Sequence, residues 1–89
     1  MNLIDFKQAT TGMDLNQMLG FQISEQLIPL RIVGKDDTLL LLDTNVDVPA
    51  TLGELVAWPT DALALCVRHH QKLYTVYGYR IVDAVIVLG

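Results

Sequence analysis

The sequence predicts a mainly β fold, a small, partly closed barrel of about six strands with an N-terminal arm and one short helical turn. Apolar residues come in short alternating or continuous runs typical of strands, and no long amphipathic helix is visible. Turn residues separate these runs at short intervals. The 89 residues make one small domain. Closing its sheet would remove exposed strand edges, which favours a barrel.

The start of the chain has no clear hydrophobic period. We therefore expect a loosely held arm over residues 1–13 and a single β domain over residues 14–89. The segment "MDLNQML" (13–19) predicts a short helical turn, with Asp14 as its N-cap and Gly20 as its end. No internal repeat is evident along the chain.

The first strands are predicted on either side of an acidic turn. The run "QLIPLRIV" (26–33) contains Pro29, which marks an edge or bulged strand because proline has no N–H for the ladder. The turn is "GKDD" (34–37). The following run, "TLLLLD" (38–43), is apolar on both faces, so we expect it between two layers.

The later strands follow a proline-bearing connector at residues 44–51. "GELVAW" (53–58) is again apolar on both faces, and "ALALCVRH" (62–69) alternates between the two faces. "LYTVYGYRIVDAVIVL" (73–88) predicts one long strand, with a bend or bulge at Gly78.

Composition limits the classes of partner. Six basic and ten acidic residues give a net charge of −4, and the basic residues are scattered singly. A nucleic-acid surface needs a concentrated positive field, so we expect no direct DNA or RNA binding. Apolar residues make up 52% of the chain and charged residues only 18%. This balance favours burial of some surface against another chain, although a compact monomer of this size also exposes apolar surface.

The predicted location is the cytoplasm. Cys66 is the single cysteine, so no internal disulfide can form, which fits a reducing compartment. The first residues lack the basic and apolar regions of a signal peptide. No apolar run approaches the roughly 20 residues of a membrane span, so no membrane association is expected.

The run Cys66-x-x-His69-His70 is the strongest candidate for a metal or a nucleophile. On a strand, Cys66 and His70 point to one face and His69 to the other, and no second cysteine pair follows. We therefore expect solvent-facing turn histidines and a buried thiol that packs as a small hydrophobe. No metal, cofactor or catalytic residue is predicted here.

Two other sets of side chains could bind ligands. Four aspartates lack the regular spacing and central glycine of a calcium loop, so turn and strand-capping roles are expected of them; they are Asp36, Asp37, Asp43 and Asp47. Four aromatic residues fit core and rim packing, an interface, or a ligand pocket; they are Trp58, Tyr74, Tyr77 and Tyr79.

The end of the chain, "IVDAVIVLG" (81–89), carries a single charge among apolar residues. Such a strand is either interior to the domain or paired with another chain. We predict a homodimer that uses this region. The predicted interface residues are Tyr77, Tyr79, Ile81, Val85, Ile86, Val87 and Leu88.

An ordered set of segments resembles LexA/UmuD-type proteins. In that family a Gly-Asp pair opens an apolar strand that ends in Asp, a proline-bearing connector follows, and a second Gly-Asp opens the next strand. Residues 36–58, "DDTLLLLDTNVDVPATLGELVAW", show a similar order. "DLNQML" (14–19) resembles a stretch before the family's first core strand, and "VYGYRIVDAVIV" (76–87) resembles its terminal strand.

The self-cleaving chemistry of that family is missing. Its serine loop is reduced to residues 34–37, the one serine of the chain is Ser24, and Cys66 stands where the lysine base would be. The resemblance thus implies a non-catalytic, dimeric interaction protein of the SOS and translesion machinery. Its implied partners are a UmuD-like or LexA-like protein, a translesion polymerase subunit, or the recombinase filament that stimulates such proteins.

Two other functions remain open. One is a small-molecule-binding or enzymatic β domain that uses Trp58, the tyrosines and Cys66. The other is a stand-alone structural dimer whose role is unrelated to its fold. A partly polar pocket near Cys66 would favour the first of these, whereas a flat apolar face centred on residues 80–88 would favour the interaction protein.

Incubation at alkaline pH should leave the mass of the protein unchanged. Alkaline conditions favour the neutral lysine on which a serine–lysine dyad depends, and this chain lacks the dyad. Mass spectrometry over the incubation checks this. Specific fragments would show that an active site lies elsewhere in the chain.

Overall fold

The computed structural model describes residues 1–44, 47–59 and 62–89. Within these ranges the chain forms two short helices and eight strands. The helices are α1 (Leu3–Ala9) and α2 (Leu52–Val56). The strands are β1 (Leu19–Ile23), β2 (Gln26–Pro29), β3 (Arg31–Asp36), β4 (Leu39–Asp43), β5 (Ala64–His69), β6 (Lys72–Thr75), β7 (Tyr79–Val82) and β8 (Val85–Leu88).

The strands form two four-stranded sheets, which we call the first and the second sheet. The first has the order β2-β1-β8-β7, and the second has the order β3-β4-β5-β6. In each sheet the two central strands run parallel, and each pairs on its outer side with an antiparallel neighbour. The mainly β prediction is confirmed, with eight described strands in two open sheets and no closed barrel.

The core lies between the sheets and is built from alternate residues of the four central strands. Each strand contributes two side chains to it: Leu19, Phe21, Leu40, Leu42, Leu65, Val67, Ile86 and Leu88. On β4, Leu41 between two core leucines is buried as well. This strand is therefore covered on both faces, as its leucine run predicts.

The predicted loose arm is instead helix α1, held in the core. Leu3 and Phe6 are spaced three residues apart, so they lie on one helix face, and both are fully buried. The Asn2 side chain caps the helix by accepting a hydrogen bond from the Asp5 backbone N–H. Backbone bonds also join residues 1–3 to the β5 region. Only two apolar side chains of this short helix are buried, and these are too few to reveal a helical hydrophobic period in the sequence.

The strand predicted at 53–58 is wrong, since residues 52–56 form α2. Thr51 and Glu54 make a capping box, in which each side chain bonds the other residue's backbone N–H. Leu52 and Leu55 are the buried face. The pattern Thr-x-x-Glu before an apolar pair was the available signal, and it outweighs the continuous apolar run.

Two long predicted strands are divided in the structure. Residues 26–33 split at Leu30, so that β2 lies at the edge of the first sheet and β3 at the edge of the second. Pro29 thus stands on an edge strand, as predicted. Residues 73–88 are divided among three strands. The break between β6 and β7 contains Gly78, where a bend was predicted. Asp83 and Ala84 both adopt positive φ and close a tight hairpin between β7 and β8.

Two predicted local turns also shift. Residues 34–36 belong to β3, and the turn begins at Asp37, whose φ is 56°. The predicted helical turn at 13–19 is a non-helical turn, in which the Asp14 side chain accepts from the Asn16 backbone N–H. Gly20 does not end a helix, since it lies inside β1.

The two sheets are related by an internal two-fold repeat of the chain. An offset of 46 residues converts the pair Leu40↔Leu65 of the second sheet into Ile86↔Leu19 of the first. The same offset relates the hairpin pairs Lys35↔Leu40 and Ile81↔Ile86. It also relates the turns Ser24-Glu25 and His70-Gln71, whose φ values are 49° and 66°, and 49° and 65°.

The helices follow the same symmetry. Leu3 N–H donates to Leu63 O, and Leu52 N–H donates to Gln17 O. Each helix thus docks just before the first strand of one half of the chain, α1 at β5 and α2 at β1. The repeat is not visible in the sequence, because residues 17–43 and 63–89 are identical at only four equivalent positions. They are Leu19/Leu65, Leu27/Leu73, Asp37/Asp83 and Leu42/Leu88.

Replacing Ile86 by Lys should unfold the protein. Ile86 is 0% exposed, and an unpaired buried ammonium costs several kcal/mol, against a total stability of about 5–15 kcal/mol. The matched control is Ile81→Lys, because Ile81 pairs with Ile86 across the hairpin but is 47% exposed. It should lose about 1 kcal/mol or less. Urea denaturation followed by circular dichroism compares the two. Equal loss in both variants would contradict the interior placement of β8.

Candidate functional site

Cys66 lies on β5, where its side chain is buried. Burial raises the pKa of the Cys66 thiol, and a backbone hydrogen bond at Tyr74 opposes that rise. A thiol with a raised pKa holds little thiolate at neutral pH and is a poor nucleophile. The structure therefore places Cys66 as a packing residue, as the sequence predicts.

The two histidines lie at the end of β5 and in the turn that follows. His69 is half-buried, and its Nδ1 lies 2.7 Å from the Thr44 hydroxyl oxygen. The rings of His69 and His70 lie 4.0 Å apart between centroids. His70 is exposed, as predicted for a turn histidine, whereas His69 is not fully so. Within the described ranges, no group of three or more metal-ligating side chains comes together.

A row of charged side chains crosses the second sheet next to these histidines. Register places Arg31 opposite Asp43, and Asp43 opposite Arg68, on three adjacent strands. An Arg68 Nη2 donates to Asp43 Oδ2 at 2.7 Å, and an Arg31 nitrogen lies 3.7 Å from the same oxygen. The Asp43 side chain is only 13% exposed. Two guanidinium groups therefore share one carboxylate, which they largely cover.

Together these side chains form an open cleft of about 660 Å³, which we call the polar cleft. It lies where β4 and β5 end side by side. Its lining is polar except for one residue and comprises Ile28, Asp43, Thr44, Arg68, His69, His70 and Gln71.

The polar cleft breaks the internal symmetry of the fold. The 46-residue offset places Gln22 at the position of Arg68, Ile23 at that of His69, and Ser24 at that of His70. Gly89 stands at the position of Asp43. Neither the ion pair nor the histidines are thus required by the scaffold, which forms the same pairings without them.

Sequence reasoning missed the roles of Thr44, Arg31 and Arg68. Asp43 and Arg68 end two apolar runs, and a charge at the end of each was the one available signal. Using it required knowing that β4 and β5 are parallel neighbours. Among the four aspartates of the predicted set, Asp37 lies in a turn as predicted. Asp43 instead belongs to the charged row and does not cap a strand.

The predicted aromatic set does not line the polar cleft. Tyr79 packs edge-on against Phe6 with ring centroids 5.7 Å apart, and Tyr74 lies 5.2 Å from Phe21. Trp58 packs against the core, and its carbonyl oxygen accepts from Lys7 Nζ at 2.7 Å. Core and rim packing therefore accounts for three of the four, and only Tyr77 is strongly exposed.

The predicted interface set is divided by burial. Ile86, Val87 and Leu88 are buried inside the chain, because β8 is a central strand between β1 and β7. They cannot form a surface for a second chain in this fold, so their assignment to the interface is wrong. Tyr77 and Ile81 are exposed, and Val85 and Tyr79 are partly accessible.

An apolar groove of about 140 Å³ lies on the outer face of the first sheet; we call it the apolar groove. Its lining is Met18, Leu19, Gly20, Leu27, Pro29, Pro49 and Val85. Gly20 forms its floor, since a Cβ there would lie 2.9 Å from Val85 Cγ1 and 3.2 Å from Leu27 Cδ1. The symmetry-related position carries the buried side chain of Cys66 instead.

No protein-family model matches the chain, and neither curated proteins nor solved structures show a match. Nothing in these comparisons links the chain to the LexA/UmuD family, so that resemblance remains a prediction. No helix of the described residues has the length and apolar character needed to cross a membrane.

The Cys66 thiol should react slowly with an aromatic disulfide reagent while the protein is folded. Burial and a raised pKa both suppress the reactive thiolate. The same protein in denaturant is the control and should react at once. Rapid labelling of the folded protein at neutral pH would show that Cys66 is accessible and activated.

Proposed function

We propose that this chain is a non-catalytic interaction protein that forms a homodimer through the outer face of its first sheet. The observation that carries the proposal is the apolar groove, with Met18 and Leu27 exposed on its walls. Register places Leu27, Gly20 and Val85 on the same outer face. Val85 is the residue of the predicted interface set that lines this groove. The proposed contact is therefore centred on β1 and β2 rather than on β8.

The chemistry of the groove favours a dry contact. Its lining residues carry no charge, and proline at two positions limits the backbone N–H groups that would need a partner. Burying apolar surface stabilises association by about 25 cal/mol per Å² before the costs of ordering are subtracted. The low charged fraction of the chain, 18%, leaves few side chains to keep such a face in water.

A second copy of the chain is the simplest occupant. In a two-fold dimer the same patch meets itself, so an apolar patch without charge is its own complement. Exposed Leu27 and Met18 of one copy can then pack against the same residues of the other copy across the groove. The proposal needs no further component.

The wider partners remain as the resemblance implies them. They are a UmuD-like or LexA-like protein, a translesion polymerase subunit, or the recombinase filament, in the cytoplasm. Their support is the ordered set of segments over residues 14–87. A shared dimer face would let this chain exchange into the dimers of such proteins.

Replacing Leu27 by Lys should convert a dimer into a folded monomer. An ammonium group in an apolar contact costs several kcal/mol when it is cut off from water. Leu27 is 36% exposed in the isolated chain, so folding should survive the change. Light scattering coupled to size-exclusion chromatography, across micromolar concentrations, measures the mass.

Leu73→Lys is the matched control. Leu73 occupies the symmetry-related position in the second sheet and is 57% exposed. This variant should remain dimeric. A wild-type protein that runs as a monomer would overturn the proposal, and so would dissociation of the Leu73 variant alone.

A further inference from the structure

We propose that the polar cleft is a binding site for a small oxyanion, a phosphate or a carboxylate group. The juxtaposition of Arg68, His70 and the Thr44–His69 pair beside one shared carboxylate carries this inference. The charged and histidine side chains of the site lie at the ends of β4 and β5 in the second sheet, whereas the apolar groove lies on the outer face of the first. It does not depend on the proposed dimer.

Arg68 supplies the charge and several donors. Its Nη2 donates to Asp43 at 2.7 Å, and a guanidinium has five N–H donors in a planar fork that matches carboxylate and phosphate oxygens. An Arg31 nitrogen also lies 3.7 Å from this carboxylate, so two positive guanidinium groups face one negative Asp43 side chain. Asp43 holds one nitrogen of the Arg68 guanidinium, and the Arg68 side chain is 38% exposed and lines the cleft, so its other N–H groups can face a ligand.

Histidines supply the second set of donors. When the Thr44 hydroxyl donates to His69 Nδ1, the neutral ring carries its proton on Nε2 and is a donor there. The exposed His70 ring lies 4.0 Å from His69 between centroids. Its turn, with φ of 49° at His70 and 65° at Gln71, is tight and holds the ring at the cleft mouth.

The charged and histidine side chains of this cleft are not repeated at the symmetry-related end of the first sheet. At the related end of the first sheet, Gln22, Ile23 and Ser24 replace the three basic side chains. The chain has a net charge of −4 and only six arginines and lysines. Arg68 and both histidines nevertheless line this one cleft, and Arg31 lies 3.7 Å from the Asp43 carboxylate, which lines it too. A guanidinium and imidazoles around an open cavity are suited to oxyanion oxygens.

The test is a nuclear magnetic resonance titration of the full chain with inorganic phosphate, with acetate, and with chloride at constant ionic strength. We expect saturable shifts of the backbone amides of Thr44, His69, His70 and Gln71 with phosphate or acetate. Tighter binding of one over the other identifies the ligand as a phosphate or a carboxylate. Shifts that match those with chloride would overturn the proposal.

Arg68→Gln should weaken binding at least about tenfold, because a charge-assisted hydrogen bond and its fork geometry are lost. It places at residue 68 the residue type that stands at the related position 22. Arg80→Gln is the control of equal charge change, since Arg80 bonds Gln22 on the first sheet. Equal weakening in both variants would indicate only long-range charge and would overturn the site.

A second variant, His70→Asn, tests the site even if the Arg68 variant does not fold. Asparagine suits the positive φ of this turn, so the variant should fold as well as the wild type. Asparagine keeps an amide donor on a shorter side chain but loses the imidazole and its Nε2, so binding should weaken by about three- to tenfold. Unchanged affinity in the folded His70 variant would overturn the assignment.

Discussion

The two central strands of each sheet run parallel, and this pairing determines which residues the fold buries. β1 pairs with β8, and β4 pairs with β5, so each sheet joins the first strand of one half of the chain to the last strand of the other. Their alternate side chains form the core between the sheets. Neither half can bury its apolar strands without the other. The same pairing makes β8 interior, and any surface for a second chain must lie elsewhere.

The two-fold repeat separates residues that hold the fold from residues that differ for another reason. Two of the four identical pairs are apolar and buried, Leu19/Leu65 and Leu42/Leu88, whereas Leu27 and Leu73 are exposed and Asp37 and Asp83 lie in turns. At two places where the halves differ, one half carries a feature that the equivalent pairing in the other half does without. The apolar groove lies at Gly20, whose symmetry-related position carries Cys66. The charged and histidine side chains at the end of β5 open the polar cleft, opposite neutral residues in the first sheet.

Much of the fold could be predicted, because strand signals are local. The leucine run of β4, the alternation of β5 and the edge position of Pro29 all follow from the chemistry of those residues. Both helices were missed because each buries only two side chains, too few to show a period. The polar cleft could not be predicted, since Asp43 and Arg68 are 25 residues apart and meet only through the parallel pairing. The buried end of β8 was mistaken for an interface, because an apolar strand looks alike in either place.

We propose that self-association uses the face over Gly20 and leaves β8 inside the chain. Isotope-filtered nuclear Overhauser spectroscopy on a mixture of labelled and unlabelled protein can locate this contact, since it records only contacts between two copies. We expect intermolecular contacts from the Met18 and Leu27 methyl groups, which flank the apolar groove. Intermolecular contacts confined to Tyr77 and Ile81, at the opposite edge of the first sheet, would contradict it.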